Sequence, residues 1–283
     1  MTINSLSGGK SSAYMHMNYP ADKDIFALVC VDDHNINRGY WRKNPDLLKY
    51  ANDKLGTYVD IYGEFIGTPE HPTIVKCMYQ LEQLSGREIT WVRGVSFDKL
   101  IQTIKKAIPN QRMRFCTTEM KIYPIFYHCL LYWDTPCLMN IGFRYDEMER
   151  TERFTTHIKY RRSLDLRSMK YNWETNPFWR EGRFPLIDNK VEHSQVQDYW
   201  ADKHIVWPKD SNCQMCFWKP LQQLRKNFDD PDHAIPMWGA IMEEMIGHTF
   251  KKSNSLLEIA DLGIQLDFHF GTGSGCSSGA CID

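Results

Sequence analysis

The chain has 283 residues, 42% of them hydrophobic, enough to bury a core as one large domain or as a domain with an appendage. Its 34 Lys and Arg against 35 Asp and Glu leave a net charge of −1, so bulk charge points to neither a nucleic-acid footprint nor an acidic partner. With no run of about 18 apolar residues for a membrane span, and a Gly-Gly-Lys turn cutting the first apolar stretch where a secretory signal would need one, a cytoplasmic protein is expected. There its nine cysteines serve as core packers, metal ligands or reactive thiols rather than as a disulfide framework.

Thr2 to Leu6 reads as a first strand and Ala13 to Met17 as the start of a helix, with Ser7-Gly8-Gly9-Lys10-Ser11-Ser12 between them. A strand that ends in a Gly-rich turn and opens a helix aims several backbone N–H groups at one spot, which suits phosphate. Because Gly8 and Gly9 are adjacent, the segment is neither a Walker A loop nor a dinucleotide fingerprint. The continuous apolar run Ile25 to Val31 reads as a parallel strand covered on both faces, and it ends at Asp32-Asp33, on the edge where open α/β sheets bind ligands.

Further along, Asn44 to Lys54 reads as a helix, Thr57 to Tyr62 as a third strand, and Phe97 to Ala107 as another helix. Tyr123 to Trp133 follows as a helix and Pro136 to Gly142 as a fourth strand. This alternation predicts an α/β fold with a doubly wound, mostly parallel sheet, its nucleotide-binding core in residues 1–160. After the fourth strand, Gly142 lets a ligand approach the backbone, and Arg144 offers a guanidinium fork for phosphate or sulfate.

Residues 161–283 read as a small, irregular helical lobe, with helices near 194–202, 219–227 and 235–247. The basic stretch Lys159-Tyr160-Arg161-Arg162, with Arg167 and Lys170, reads as a solvated helix face in preference to a surface for a phosphate backbone. Cys213-x-x-Cys216 can bind one metal or cluster, or form a redox pair. Further ligands would have to come from afar: Cys116, or Cys276 and Cys281 in a Gly/Ser-rich tail. Cys30, Cys77, Cys129 and Cys137 lie in apolar segments and read as buried packers.

Four segments, taken in order, carry a resemblance. Ser7 to Ser12 resembles the Ser-Gly-Gly-x-Asp-Ser loop of the PP-loop ATP pyrophosphatases, with Ser11 in place of the Asp. Arg114-Phe115-Cys116-Thr117 through Lys121 resembles the Arg-x-Cys-Cys/Thr-x-x-x-Lys segment of the phosphoadenosine phosphosulfate (PAPS) reductase-like group within that superfamily. Ile141 to Arg150 resembles that group's Gly-x-Arg-x-x-Glu-Ser-x-Arg stretch, with Met148 in place of Ser. Phe184 to Asp188 with Val196 to Trp200 is similar to its Pro-Leu-x-x-Trp…Asp-Val-x-x-Tyr segment, without a Trp at Asn189, and reads as a packing element.

The resemblance implies an adenine nucleotide alpha hydrolase-like (HUP type) fold that binds ATP, PAPS or adenosine phosphosulfate (APS). Ser7, Gly8, Gly9, Ser11 and Ser12 would cradle phosphate, Lys10 and Arg144 would balance its charge as catalytic groups, and Asp32 or Asp33 would hold Mg2+ or the ribose edge. Cys116 would join Cys213 and Cys216 around a four-iron four-sulfur cluster, with Cys276 or Cys281 as fourth ligand or one iron left open; zinc is the structural alternative. The implied activity is adenylation-coupled sulfur transfer onto a nucleic acid or nucleoside, served by a sulfur donor protein. Two alternatives stand beside it: a genuine PAPS/APS reductase with Cys281 as nucleophile, although the ending Cys-Ser-Ser-Gly-Ala-Cys-Ile-Asp departs from that family's Glu-Cys-Gly-x-His, and a non-catalytic nucleotide-binding module with structural zinc.

Overall fold

The computed structural model describes residues 1–209, 212–230 and 234–263. Among the described residues seven strands run in chain order: β1 (Thr2–Leu6), β2 (Lys23–Ala27), β3 (Thr90–Val92), β4 (Cys137–Ile141), β5 (His157–Asp165), β6 (Lys170–Phe178) and β7 (Arg180–Arg183). Five of them form one sheet in the order β3-β2-β1-β4-β7, with every neighbouring pair parallel. The helix α1 (Lys10–Asn18) follows β1 directly.

Alternation along the strands sends apolar side chains to both faces of this sheet. Leu6, Phe26 and Trp91 pack on one face with Ile74, Leu81 and Trp200. Ile3, Ile25, Val92, Met139 and Ile141 pack on the other with Phe126, Cys129 and Trp179. A third apolar cluster extends from Val29 and Val31 to Phe97, Leu100, Met215 and the helix Ala234–Ile246.

One polar chain crosses the buried sheet. Asn140 Nδ2 donates to Asn4 Oδ1 at 2.8 Å, Asn4 Nδ2 donates to Asp24 Oδ1 at 2.9 Å, and His16 Nδ1 lies 2.7 Å from the same Asp24 oxygen. It ties β4, β1, β2 and α1 together with hydrogen-bonded polar groups, the form in which such groups tolerate burial.

Several expectations are corrected. Thr57 to Tyr62 is helical, a 3-10 turn at Gly56–Tyr58 followed by Val59–Tyr62, and the strand beside β2 is Thr90–Val92 instead. That slot is covered on both faces: Trp91 and Val92 are fully buried there, whereas Ile61 is 70% exposed where it stands. The β2 ladder stops at Ala27, although Leu28 to Val31 continue buried, with Leu28 N–H donating to Val92 O and Val31 N–H to Gly67 O. The basic stretch near 159–170 is no helix face; it lies in the antiparallel hairpin β5–β6, which is outside the main sheet. Strand β7, from beyond residue 160, supplies the fifth strand of the core sheet. Helices at His193–Ala201, Leu221–Asn227 and Ala234–Ile246 stand where helical spacing places them. Among the described residues no helix is long and apolar enough to cross a membrane.

Candidate functional site

The strand order reverses around β1: β2 and β3 lie to one side of it, β4 and β7 to the other. At such a switch point the loops leaving two adjacent strands diverge to opposite faces, opening a crevice at the carboxyl edge that suits a ligand. The loop after β1 and the segment after β4 both open there.

Local chemistry shapes the first loop. Gly8 has φ +77°, a left-handed conformation, and a Cβ on it would sit 2.5 Å from Ile74 Cδ1, so a side chain is excluded on two grounds. Gly9 is the extended N-cap of α1 and brings no side chain to the first-turn amides, which stay aimed outward. Ser12 Oγ folds the loop from within, accepting from Ser7 N–H at 3.1 Å and donating to Gly9 O at 3.0 Å.

The segment after β4 closes against this loop. A Cβ on Gly142 would lie 2.8 Å from Ser12 Cα, so β4 and the first turn of α1 meet through a glycine. Arg144 Nη1 donates to Ser11 Oγ at 3.1 Å, while its Nε and Nη2 each donate to Asp146 at 2.9 Å. The guanidinium is therefore held at the helix N-terminus with its fork already oriented. Lys10 turns the other way: Nζ bonds Gln197 Oε1 and lies 6.0 Å from the Trp207 ring centre, and partial burial lowers its pKa. Trp200 Nε1 donates to Lys10 O at 3.0 Å.

Asp32, beyond the end of β2, accepts from Ser96 Oγ at 2.7 Å and lies 3.2 Å from Lys99 Nζ and 3.8 Å from Arg93 Nη2. Its N–H donates to Asp98, whose carboxyl burial pushes up. Asp33 Oδ1 accepts from Asn35 N–H at 2.8 Å, an Asx turn. Asp32 thus already has cationic partners, and Asp33 shapes the following loop.

The thiols form a second group. Cys213 and Cys216 sit in a turn closed by Cys216 N–H donating to Cys213 O at 3.0 Å and pinned by Gln214 N–H donating to Pro69 O at 2.8 Å. Cys116 and Cys213 pack against the same apolar cluster. Burial, and then the neighbouring Cys216, pushes the Cys116 thiol up to about 11. Cys213 is raised by burial, then by Glu70 and Cys216, with Cys116 adding in the same direction. Thiols from two distant segments, Cys116 and the Cys213–Cys216 turn, therefore share one neighbourhood, beside the ion pair of Lys121 Nζ and Glu70 Oε1 at 2.9 Å. Among the described residues no three His, Cys, Asp or Glu side chains are arranged to hold a metal ion. Cys276 and Cys281 lie outside the described residues.

The fold thus joins Ser7–Ser12 to Gly142 and Arg144, and Cys116 to Cys213 and Cys216. Sequence reading missed Trp207 at the loop and Glu70 beside the thiols; neither belongs to a local pattern. Gln197 and Trp200 were visible only as part of a packing segment. Compared with protein-family models, with curated proteins and with solved structures, the chain matches none.

Proposed function

We propose that this chain is a PP-loop enzyme of the PAPS reductase-like group, with the HUP-type fold that such a loop accompanies. In this reading it binds ATP or a related adenine nucleotide and couples adenylation to sulfur transfer onto a nucleic acid or nucleoside. One observation carries the reading: across the switch point of a parallel sheet, Gly142 backs Ser12 and Arg144 holds Ser11, so both expected phosphate-binding segments share one helix N-terminus.

The residues suit a polyphosphate. The first-turn amides of α1 would donate to its oxygens, Gly9 leaves room for them, and Arg144 gives a charge-assisted fork once its Nε and Nη2 exchange Asp146 for phosphate. Lys10 adds a second cation once it exchanges Gln197 for phosphate. With Ser11 in place of Asp, that position contributes a hydroxyl and no carboxylate, so any Mg2+ would rely on Asp33 or Asp32.

For the cluster, the donors suit in chemistry although the three thiols as they stand are not arranged to hold a metal ion: Cys116 and Cys213 are both raised by burial and by Cys216, and a thiophilic cation taking all three as thiolates would relieve that. Cys116, Cys213 and Cys216 would hold it, with Cys276 or Cys281 the remaining donor. When bound, a four-iron cluster supplies electron transfer or an iron site for sulfide. Lys121 and Lys251, both within electrostatic reach of these cysteines, would balance its negative charge.

The test is anaerobic purification with visible absorption and iron, sulfide and zinc analysis on the native chain, Cys116→Ala and Cys213→Ala, followed by calorimetric titration with ATP, APS and PAPS. Brown protein that bleaches in both variants, tight ATP binding, and pyrophosphate release with an acceptor are expected. Sulfite release from PAPS or APS would replace this reading with the reductase. Stoichiometric zinc with no turnover would leave a binding module.

A further inference from the structure

The hairpin β5–β6 stands apart from the chemistry described so far. Its base is fixed by Ile158, buried in the apolar cluster under the sheet, and by Tyr160, whose ring lies 4.8 Å from that of Phe126. Beyond that anchor the two nine-residue strands run out as a ribbon, at roughly 3.4 Å per residue. Ile158 and Tyr160 face inward, so alternation turns Lys159 and Arg161 outward.

The outward face is basic and aromatic. Arg161 pairs with Trp173 in the ladder, and its guanidinium lies 4.5 Å from the Tyr171 ring centre and 5.4 Å from that of Trp173. Lys159 Nζ lies 5.2 Å from the Trp173 ring centre. The rings are not spent on these contacts, since Tyr171 remains 49% and Trp173 46% exposed.

Charge on the ribbon is one-sided although the chain carries only −1 overall. Residues 157–178 hold five cations, Lys159, Arg161, Arg162, Arg167 and Lys170, against Asp165 and Glu174. Both carboxylates are occupied: Glu174 pairs with Arg162 at 3.1 Å, and Asp165 accepts from Arg167 N–H and Ser168 Oγ at the turn. A helix-free ribbon with exposed π-faces between unneutralised cations matches a polyanion that offers flat rings at the spacing of its charges.

We infer that the β5–β6 ribbon is an arm that binds single-stranded nucleic acid, with phosphates on Lys159 and Arg161 and bases stacked on Trp173 and Tyr171. The inference deepens the proposed function by assigning the acceptor's docking surface, and rests on that reading only for what the binding serves. Binding is measured without nucleotide, so failure here is separable from failure at the phosphate loop.

The experiment is fluorescence anisotropy of the full chain with labelled 20-nucleotide DNA and RNA single strands, the matching duplexes, and a competition with phosphatidylserine vesicles. Single strands are expected to bind and to weaken about 7-fold between 50 and 200 mM salt for two phosphate contacts, at a slope of about −0.7 per contact. Arg161→Glu and Lys159→Glu should each weaken binding about tenfold and flatten the salt slope, and Trp173→Ala should weaken it about 5- to 100-fold while leaving most of the slope. Lys49→Glu, an exposed charge reversal on another surface, should change nothing. These side chains are exposed, so each variant should keep the native melting curve; Lys159→Glu serves if Arg161→Glu does not. Absence of strand binding at 50 mM salt, native affinity in the ribbon variants, preference for duplex, or binding to vesicles alone would overturn the inference.

Discussion

Gly142 and Ser12 meet backbone to backbone: a Cβ on the glycine would lie 2.8 Å from Ser12 Cα and 3.0 Å from its nitrogen, nearer than side chains come. The end of β4 therefore sets the position of the first turn of α1, and with it the amides that face the crevice. Gly142→Ala must push that turn away. The expected result is a loss of about 1–3 kcal/mol in urea denaturation, the usual scale of overpacking, together with loss of ATP binding by calorimetry. Native affinity in a folded Gly142→Ala variant would place the nucleotide elsewhere.

Arg144 spans Ser11 and Asp146 with separate nitrogens. Removing it in Arg144→Ala should weaken nucleotide binding by about 1.5–3 kcal/mol, or tenfold to about 150-fold, the range for hydrogen bonds to charged groups. Arg144→Lys should recover little, because an ammonium cannot reach both partners as the planar fork does. Titration of the two variants at fixed ionic strength checks the order.

The Cys116 thiol, pushed up to about 11 by burial and by Cys216, is neutral at pH 8 in metal-free protein. Alkylation by iodoacetamide there should run more than tenfold slower than for free cysteine, whose pKa is about 8.5, and should rise with pH toward 11. The linkage has a definite sign. A folded pKa above the unfolded value means that this thiol's contribution to stability is complete below about pH 8.5 and is lost as pH rises through about 11. Mass spectrometry of the Cys116 peptide and melting curves across pH 8–11 test both statements. Bound metal should abolish the alkylation.

Asp24 is 4% exposed and receives both Asn4 and His16, with Arg87 Nε 3.6 Å away. Asp24→Ala strands these buried groups at once. A loss of about 3 kcal/mol or more is expected by urea denaturation, since a partnerless buried polar group bears its full desolvation cost. Asp24→Asn, which keeps one acceptor oxygen, should lose less.

What the sequence determined by itself is whatever a dozen neighbouring residues decide. β1, the glycine turn and α1 follow from an apolar run, two residues without side chains and a short helical stretch. The helices at Pro45–Lys54 and His193–Ala201 follow from spacing alone. Gly142 and Arg144 were legible as ligand-facing types because they follow a strand. Only the tertiary structure decided which segment lies beside β2. Thr57 to Tyr62 has the strand-like local pattern, yet the three residues Thr90–Val92 take the place because Trp91 and Val92 fill both faces there. The ribbon at 157–178 was equally hidden: each half reads as a polar stretch, and only pairing of Arg161 with Trp173 makes it a surface. The partners of Lys10 lie far away in sequence, at Gln197 and Trp207, and Glu70 reaches the thiols from a loop without a motif. Local pattern carries backbone preference and amphipathicity, whereas strand order, burial on two faces and charge neighbourhoods arise from contacts between segments that no single window contains.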